Sequence, residues 1–258
     1  MSQLDRQDGQ WAVVEYDEID STNAEAMRRA AAGELGPLWI TAARQTAGRG
    51  RSGRGWASPQ GNLAASLIFE PNCPPHNVPN LSLLAGIAVH DALSAFWPDG
   101  RVARRLRLKW PNDVLIDAAK LGGILVEATT IAGQLVVVIG IGINIRHRPV
   151  IEGRATTSLS EHAATVPDAP ALLAVISARL QDWLAVWKGG ADFSTILTAW
   201  HDRAGPLGEA MSINSGDGPV HGTFGGLDME GALLLCDANG RRLRFTFGDV
   251  SLQTASKA

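Results

Sequence analysis

The sequence predicts an α+β chain: a mixed β-sheet with flanking helices, and a small all-β module after it. Three observations carry this. Apolar residues fall at strand period in some stretches and at helical spacing in others. Residues 106–145 hold three runs in meander order. Beyond Gly205-Pro206-Leu207-Gly208 the texture changes to short runs broken by Gly and Asp. The expected division is therefore residues 1–205 and residues 206–258.

Each element follows from its residues. Residues 11–19 form a first strand, and Asp20-Ser21-Thr22-Asn23 opens a helix that stops at Gly33. Thr22 and Glu25 have capping-box spacing, with Ser21 or Thr22 as the cap. Residues 38–43 form a short strand leading into a Gly/Arg loop, and residues 62–70 form another, followed by a Pro-rich turn. Residues 81–97 form a buried helix. The meander runs are 106–116, 122–129 and 135–145, the last apolar throughout and so central in a sheet. Helices follow at 169–187 and 193–204. The module's runs are 210–213, 220–227, 232–237 and 242–247.

Composition bounds the function. The 258 residues are 45% hydrophobic, enough for a substantial core. A net charge of −3 gives no global basic field for nucleic acid. Cys73 and Cys236 form no CxxC pair and read as buried reduced thiols, which fits a cytoplasmic protein. The start, MSQLDRQDGQ, lacks a secretory pattern. The longest apolar run, residues 135–143, is far short of a membrane span of about 20 residues. No membrane association is expected. The six histidines show no metal-ligand spacing, and Trp183, Trp187 and Trp200 read as packing residues.

Four segments carry chemistry. Ser21-Thr22-Asn23 places short polar side chains at a helix N-terminus, where they cap the helix or also face a ligand. Gly48 to Trp56 reads GRGRSGRGW. Its glycines let backbone approach a ligand, and Arg49, Arg51 and Arg54 make a clamp for carboxylate or phosphate. A solvated basic loop, or an RNA contact, is the plainer alternative. Lys109-Trp110-Pro111-Asn112-Asp113 sets a proline inside a strand-like run, which implies a shaped, irregular site. Lys120-Leu121-Gly122-Gly123 holds a lysine beside close-packed backbone before Ile124-Leu125-Val126-Glu127. Gly140 and Gly142 interrupt an apolar strand in the same way, which weakens packing unless a ligand or another backbone comes close. No GxxxxGK[ST] phosphate loop is present.

In this order, STN, QxxGRGRxGRxW, KWPND, KLGGILVE and GIGIN resemble the biotin protein ligase family, biotin–[acetyl-CoA-carboxylase] ligases, over residues 15–145. The step from Lys109 to Lys120 matches the family spacing. GTFGGLD at residues 222–228 and GALLL at 231–235 resemble the family's C-terminal SH3-like β-barrel.

The resemblance implies a class II synthetase-like catalytic fold in the first unit. It implies activation of biotin by Mg²⁺·ATP as biotinyl-5′-AMP, then transfer to a lysine of a biotin carboxyl carrier domain of acetyl-CoA carboxylase or a related carboxylase. Carried over by position, Ser21, Thr22, Asn23, Gln45, Arg49, Gly50, Arg51, Lys120 and Gly123 bind biotin. Arg49, Arg51, Arg54, Trp56, Lys109, Asn112, Lys120 and Asn144 serve ATP and the adenylate. Lys120 is the principal catalytic residue, with Arg49 and Arg51 beside it, and Ile124, Leu125 and Val126 are candidate walls for the valeryl chain. The Mg²⁺ ion is expected to travel with ATP rather than on protein ligands. Some members add an N-terminal winged helix and repress transcription. With twenty residues before Ser21, a monofunctional ligase without DNA binding is expected. Family members also pair edge to edge, so a weak or ligand-promoted homodimer is compatible. The nearest alternative is a lipoate or octanoate ligase; a non-enzymatic RNA-binding module is a second.

Overall fold

Strand alternation sorts the main sheet into two unlike faces, and that decides where the site lies. The structure is a computed structural model that describes residues 11–98, 100–214 and 218–252. In chain order the first unit contains β1 (Ala12–Ile19), α1 (Thr22–Ala31), β2 (Leu38–Gln45), β3 (Leu63–Phe69) and α2 (Leu81–Ala95). Then come β4 (Leu106–Lys109), β5 (Asp113–Ile116), β6 (Ala119–Ile131), β7 (Gln134–Ile143), α3 (Ala169–Trp187) and α4 (Phe193–His201). Seven strands pair in the order β1-β2-β3-β7-β6-β5-β4. Only β1 and β2 run parallel, so the sheet is mixed as expected.

One face presents Trp39, Leu63, Leu67, Val137, Ile139 and Ile141 to α2 and α3 in a single core. Trp39 Nε1 donates to Ser177 Oγ at 3.0 Å, tying β2 to α3. By length and composition alone α3 is long and apolar enough to cross a membrane; its Leu172, Leu173, Ile176, Leu180 and Trp187 are buried within the protein. The opposite face carries Leu38, Ile40, Ile68, Val136 and Val138 under Ala26 and Ala30 of α1. Burying these side chains is worth roughly 1.5–3 kcal/mol for each large one, and it seats the helix.

The run 106–116, read from sequence as one strand, is two. Trp110-Pro111-Asn112 turns the chain, and Lys109 pairs with Asp113 in a β4–β5 hairpin. Proline cannot donate to a ladder, so the run breaks at Pro111. From β4 to β7 the connections form the meander predicted.

The second sheet comprises β8 (Ala210–Asn214), β9 (Pro219–Leu227), β10 (Leu233–Cys236), β11 (Arg242–Phe245) and β12 (Asp249–Leu252), ordered β11-β10-β9-β8-β12 and antiparallel. Sequence reading missed β12. This sheet packs on the first unit through Trp200, whose ring meets Phe224 edge-on at 6.3 Å. Leu227 N donates to His201 Nε2 at 3.0 Å, and Trp110 Nε1 donates to Gly231 O at 3.0 Å. Both cysteines are free, and they are half-buried rather than buried.

Candidate functional site

Followed along the α1 face, the strands lose their side chains. On β3 the residues after Ile68 on that face are Ser66 and Ala64; on β7, after Val138, they are Gly140 and Gly142. Ser66 pairs with Gly140, Ala64 with Gly142, and Gly142 with Gly123 of β6. This bare patch beyond the N-terminus of α1 is the floor of a cavity of about 1100 Å³. Every site residue expected from sequence lines it: Ser21, Thr22, Asn23, Gln45, Arg49, Gly50, Arg51, Arg54, Trp56, Lys109, Asn112, Lys120, Gly123 and Asn144. Of the candidate valeryl walls, Leu125 lines it on the Gly123 face; Ile124 borders it, but its side chain, like Val126, packs in the α2-side core. Alternation along β6 takes both away from the Gly123–Leu125 face.

The two β7 glycines make room for side chains of this chain. A Cβ on Gly140 would overlap the Asn23 amide, and one on Gly142 would overlap the Trp56 indole. The sequence reading expected a ligand or another backbone to come close here; two side chains do so, and both glycines also line the cavity.

At the α1 end, Ser21 is the cap, and its hydroxyl accepts from Ala24 N at 3.4 Å. That frees Thr22 from capping. Thr22 N and Oγ1 both donate to Gln45 Oε1, at 2.8 and 3.1 Å. Ser66 Oγ lies 2.8 Å from Thr22 Oγ1 and donates to Asn23 Oδ1 at 2.5 Å. Asn23 Nδ2 donates to Glu127 Oε2 at 2.9 Å. Ser21, Thr22, Asn23 and Ser66 are all at most 4% exposed, so this network works in a low dielectric where fixed polarity counts.

The loop from Gly48 to Trp56 folds over the cavity and is held by its arginines. Gly48, Gly50 and Gly53 carry the letters of a dinucleotide fingerprint, but the segment leads into β3 and opens no α-helix. Arg49 Nη2 donates to Glu127 Oε1 at 2.6 Å. Arg54 makes a two-pronged bond to Asp249 of β12, both contacts 2.6 Å. Arg51 differs. Its guanidinium donates to Asn112 Oδ1 at 3.2 Å and Gly248 O at 3.4 Å, and no carboxylate among the described residues pairs with it. Burial lowers its pKa. A desolvated guanidinium without a counter-ion is a ready anion site.

Across from it, Asp113 sits between two lysines. Lys120 Nζ lies 2.5 Å from Asp113 Oδ1 and Lys109 Nζ 2.9 Å from Oδ2. Lys109 also donates to Val250 O at 2.8 Å. Burial pushes the Asp113 carboxyl up, but the charges of Lys109 and Lys120 outweigh it and hold it low. Burial pushes the Lys120 ammonium below the ordinary lysine range, against the pull of Asp113. Lys120 Nζ also stands 5.5 Å over the Trp56 ring. Asn112 Nδ2 donates to Ile124 O at 2.6 Å, fixing the turn between the lysines. Asn144 donates to Thr157 O at 3.0 Å, while its buried Oδ1 has no partner.

Residues 18–144 match the model of the biotin/lipoate A/B protein ligase family, and residues 207–253 that of the biotin protein ligase C-terminal domain. A biotin–[acetyl-CoA-carboxylase] ligase of Paracoccus denitrificans is 39% identical over 234 residues, covering 87% of this chain and 94% of that protein. The chain belongs to the biotin protein ligase family. The bifunctional ligase/repressor BirA of Escherichia coli (strain K12) is 33% identical over 244 residues, covering 93% of this chain and 73% of BirA. A biotin protein ligase from Aquifex aeolicus, solved in complex with biotin and ATP, has a TM-score of 0.77 at 28% identity, covering 95% of this chain and 99% of that one. Family likeness thus extends over both sheets.

Sequence reading missed Ser66, Glu127 and Asp249 as contributors to the site. Glu127 had a signal: it is two steps of two beyond Gly123 on one strand, hence on the same face. Asp249 had none, since it meets Arg54 across 195 residues of sequence.

Proposed function

We propose that the chain activates biotin with ATP and passes it to one lysine of a biotin carboxyl carrier domain of a carboxylase. In the first step a biotin carboxylate oxygen attacks the α-phosphorus of ATP. The bond from that phosphorus to the bridging oxygen breaks, and pyrophosphate leaves with the electron pair. In the second the neutral ε-amine of the carrier lysine attacks the acyl carbon of biotinyl-5′-AMP. An amide forms, the amine loses a proton, and AMP departs.

One observation carries this reading: six cations, Arg49, Arg51, Arg54, Lys109, Lys120 and Arg154, line one cavity against two carboxylates, Asp113 and Asp249, with Glu127 behind the wall on Arg49. That surplus suits a reaction that brings a carboxylate up to a triphosphate, because the anions repel until cations offset them. Lys120 and Arg51 meet the biotin carboxylate and the α-phosphate, and Arg49 and Gly50 close over biotin. Ser21, Thr22, Asn23 and Gln45 take the ureido ring, with the Gly123 backbone and Leu125 along the chain. Lys109, Arg54, Trp56, Asn112 and Asn144 serve the nucleotide. A loop that covers the adenylate keeps water from it.

The residues fit a magnesium ion carried by the triphosphate. Asp113, Asp249 and Glu127 are engaged by cations, and Asn144 Oδ1 in the wall is buried with no hydrogen-bond partner. Such an ion neutralises phosphate charge when bound. A cytosolic setting and a weak or ligand-promoted homodimer belong to the same reading.

The test is ATP–pyrophosphate exchange with biotin, lipoate or octanoate, on wild type and Lys120→Ala. Exchange with biotin alone, reduced on the order of 10²–10³ in the variant, is expected, by analogy with losing one oxyanion donor. Exchange with lipoate or octanoate instead would move the substrate. No exchange from folded protein would overturn the reading.

A further inference from the structure

We infer that Glu127 is a positioning residue: it fixes the direction of the hydrogen-bond chain facing the ureido ring, and so makes the site select for a ring with free N–H groups. This rests on the biotin reading above. Glu127 does not line the cavity; it stands behind Asn23 on the β6 face shared with Gly123 and Leu125, with its side chain 22% exposed.

A carboxylate can only accept. With Oε2 2.9 Å from Asn23, Glu127 obliges the amide to present Nδ2 to it and to turn Oδ1 the other way, and the longer 3.4 Å contact of Nδ2 with Leu125 O favours the same orientation. Asn23 Oδ1 then faces Ser66 Oγ at 2.5 Å, and an amide oxygen also can only accept. Ser66 has one proton, and the shorter contact claims it, over the 2.8 Å neighbour Thr22 Oγ1. The Thr22 proton goes to Gln45 Oε1. The Ser66 and Asn23 protons thereby run toward Glu127 while the Thr22 proton runs to Gln45, and the spare lone pairs of Asn23 Oδ1 and Thr22 Oγ1 are what these two lining residues offer to the cavity. A ring bearing N–H donors satisfies them; a ring without such donors leaves buried acceptors unpaired. Arg49, on the other oxygen of Glu127, provides the neutralising charge that lets a carboxylate sit there.

A neutral amide at position 127 removes the constraint. Its NH₂ donates to Asn23 Oδ1, the Asn23 amide turns over, and an N–H then faces the ligand's N–H.

The experiment compares biotin with biotin methylated on a ureido nitrogen, by kcat/KM in ATP–pyrophosphate exchange, for wild type and Glu127→Gln, with Glu127→Asn in reserve if Glu127→Gln does not fold. Wild type should prefer biotin by a hundredfold or more. In the variant that preference should shrink at least tenfold, through a higher KM for biotin, with KM for ATP within twofold of wild type. A purely structural role would lower exchange with both acids alike and leave their ratio intact, and that result overturns the inference. So does a wild type indifferent to methylation, whatever the variants do. A wild type giving no exchange with biotin at all would instead overturn the biotin reading itself.

Discussion

The Trp56 indole occupies the space that a side chain on Gly142 would take. Two residues earlier, Gly140 stands in the same relation to Asn23. The glycines therefore mark two halves of one floor, and replacing each should injure a different substrate. Gly142→Ala is expected to displace Trp56 and raise KM for ATP. Gly140→Ala should displace Asn23 and raise KM for biotin. Overpacking of this kind costs about 1–3 kcal/mol, so urea denaturation should show a moderate loss in both. Steady-state kinetics with each substrate varied checks the split.

Asp113 holds Lys109 and Lys120 together, and its loss leaves two half-buried ammonium groups facing each other. Asp113→Asn should destabilise the free protein on the order of 3 kcal/mol, as expected when one partner of a buried ion pair is removed. ATP brings replacement anions. The rise in Tm on adding Mg²⁺·ATP should accordingly be larger in Asp113→Asn than in wild type, which differential scanning calorimetry reads directly.

Arg54 and Asp249 join the Gly/Arg loop to the second sheet with both side chains near 40% exposed. Asp249→Asn should therefore cost under about 1 kcal/mol of stability. Its effect belongs to the loop: KM for ATP is expected to rise severalfold, and wild type should lose part of its advantage as salt screens the pair. Exchange kinetics at low and high ionic strength test both points.

Asp91 on α2 gives a pH dependence away from the site. Burial pushes its carboxyl up, but hydrogen bonds from His90, Arg203 and Trp183 outweigh this and hold it at about 2. The unfolded chain, with its carboxyl near the ordinary 3.8, takes up the proton first as pH falls. The stabilisation, on the order of 2 kcal/mol, is present above that value and lost as pH drops through about 2. Asp91→Asn should be less stable than wild type at pH 6, and the gap should close toward pH 2. Urea unfolding across that range is the measurement.

The local half of this fold was legible in the residues. Helix α3 falls at the expected bounds because its apolar spacing and its Asp168 cap agree. Ser21, Thr22, Gln45, Lys109 and Lys120 reach one cavity because they lie at or beside the ends of elements whose period is plain in the sequence, and the Gly/Arg loop is delivered there by β2 and β3. Partners distant in sequence were not legible. Nothing near Arg54 specifies Asp249, and nothing near Thr22 specifies Ser66. The β4–β5 break was half legible: Pro111 signalled irregularity, but only the register of Lys109 with Asp113 shows that the chain reverses there.

Gly231 O, Val250 O and Asp249 hold Trp110, Lys109 and Arg54 respectively. Through Asp249, Val250, Ser251 and Leu252 the second sheet is thus a wall of the cavity rather than an appendage. Chimaeras that splice this chain to a relative at residues 205–208 exchange half of an ion pair along with the sheet. Their success depends on whether the incoming strand brings an acidic residue opposite Arg54, whatever the quality of the junction.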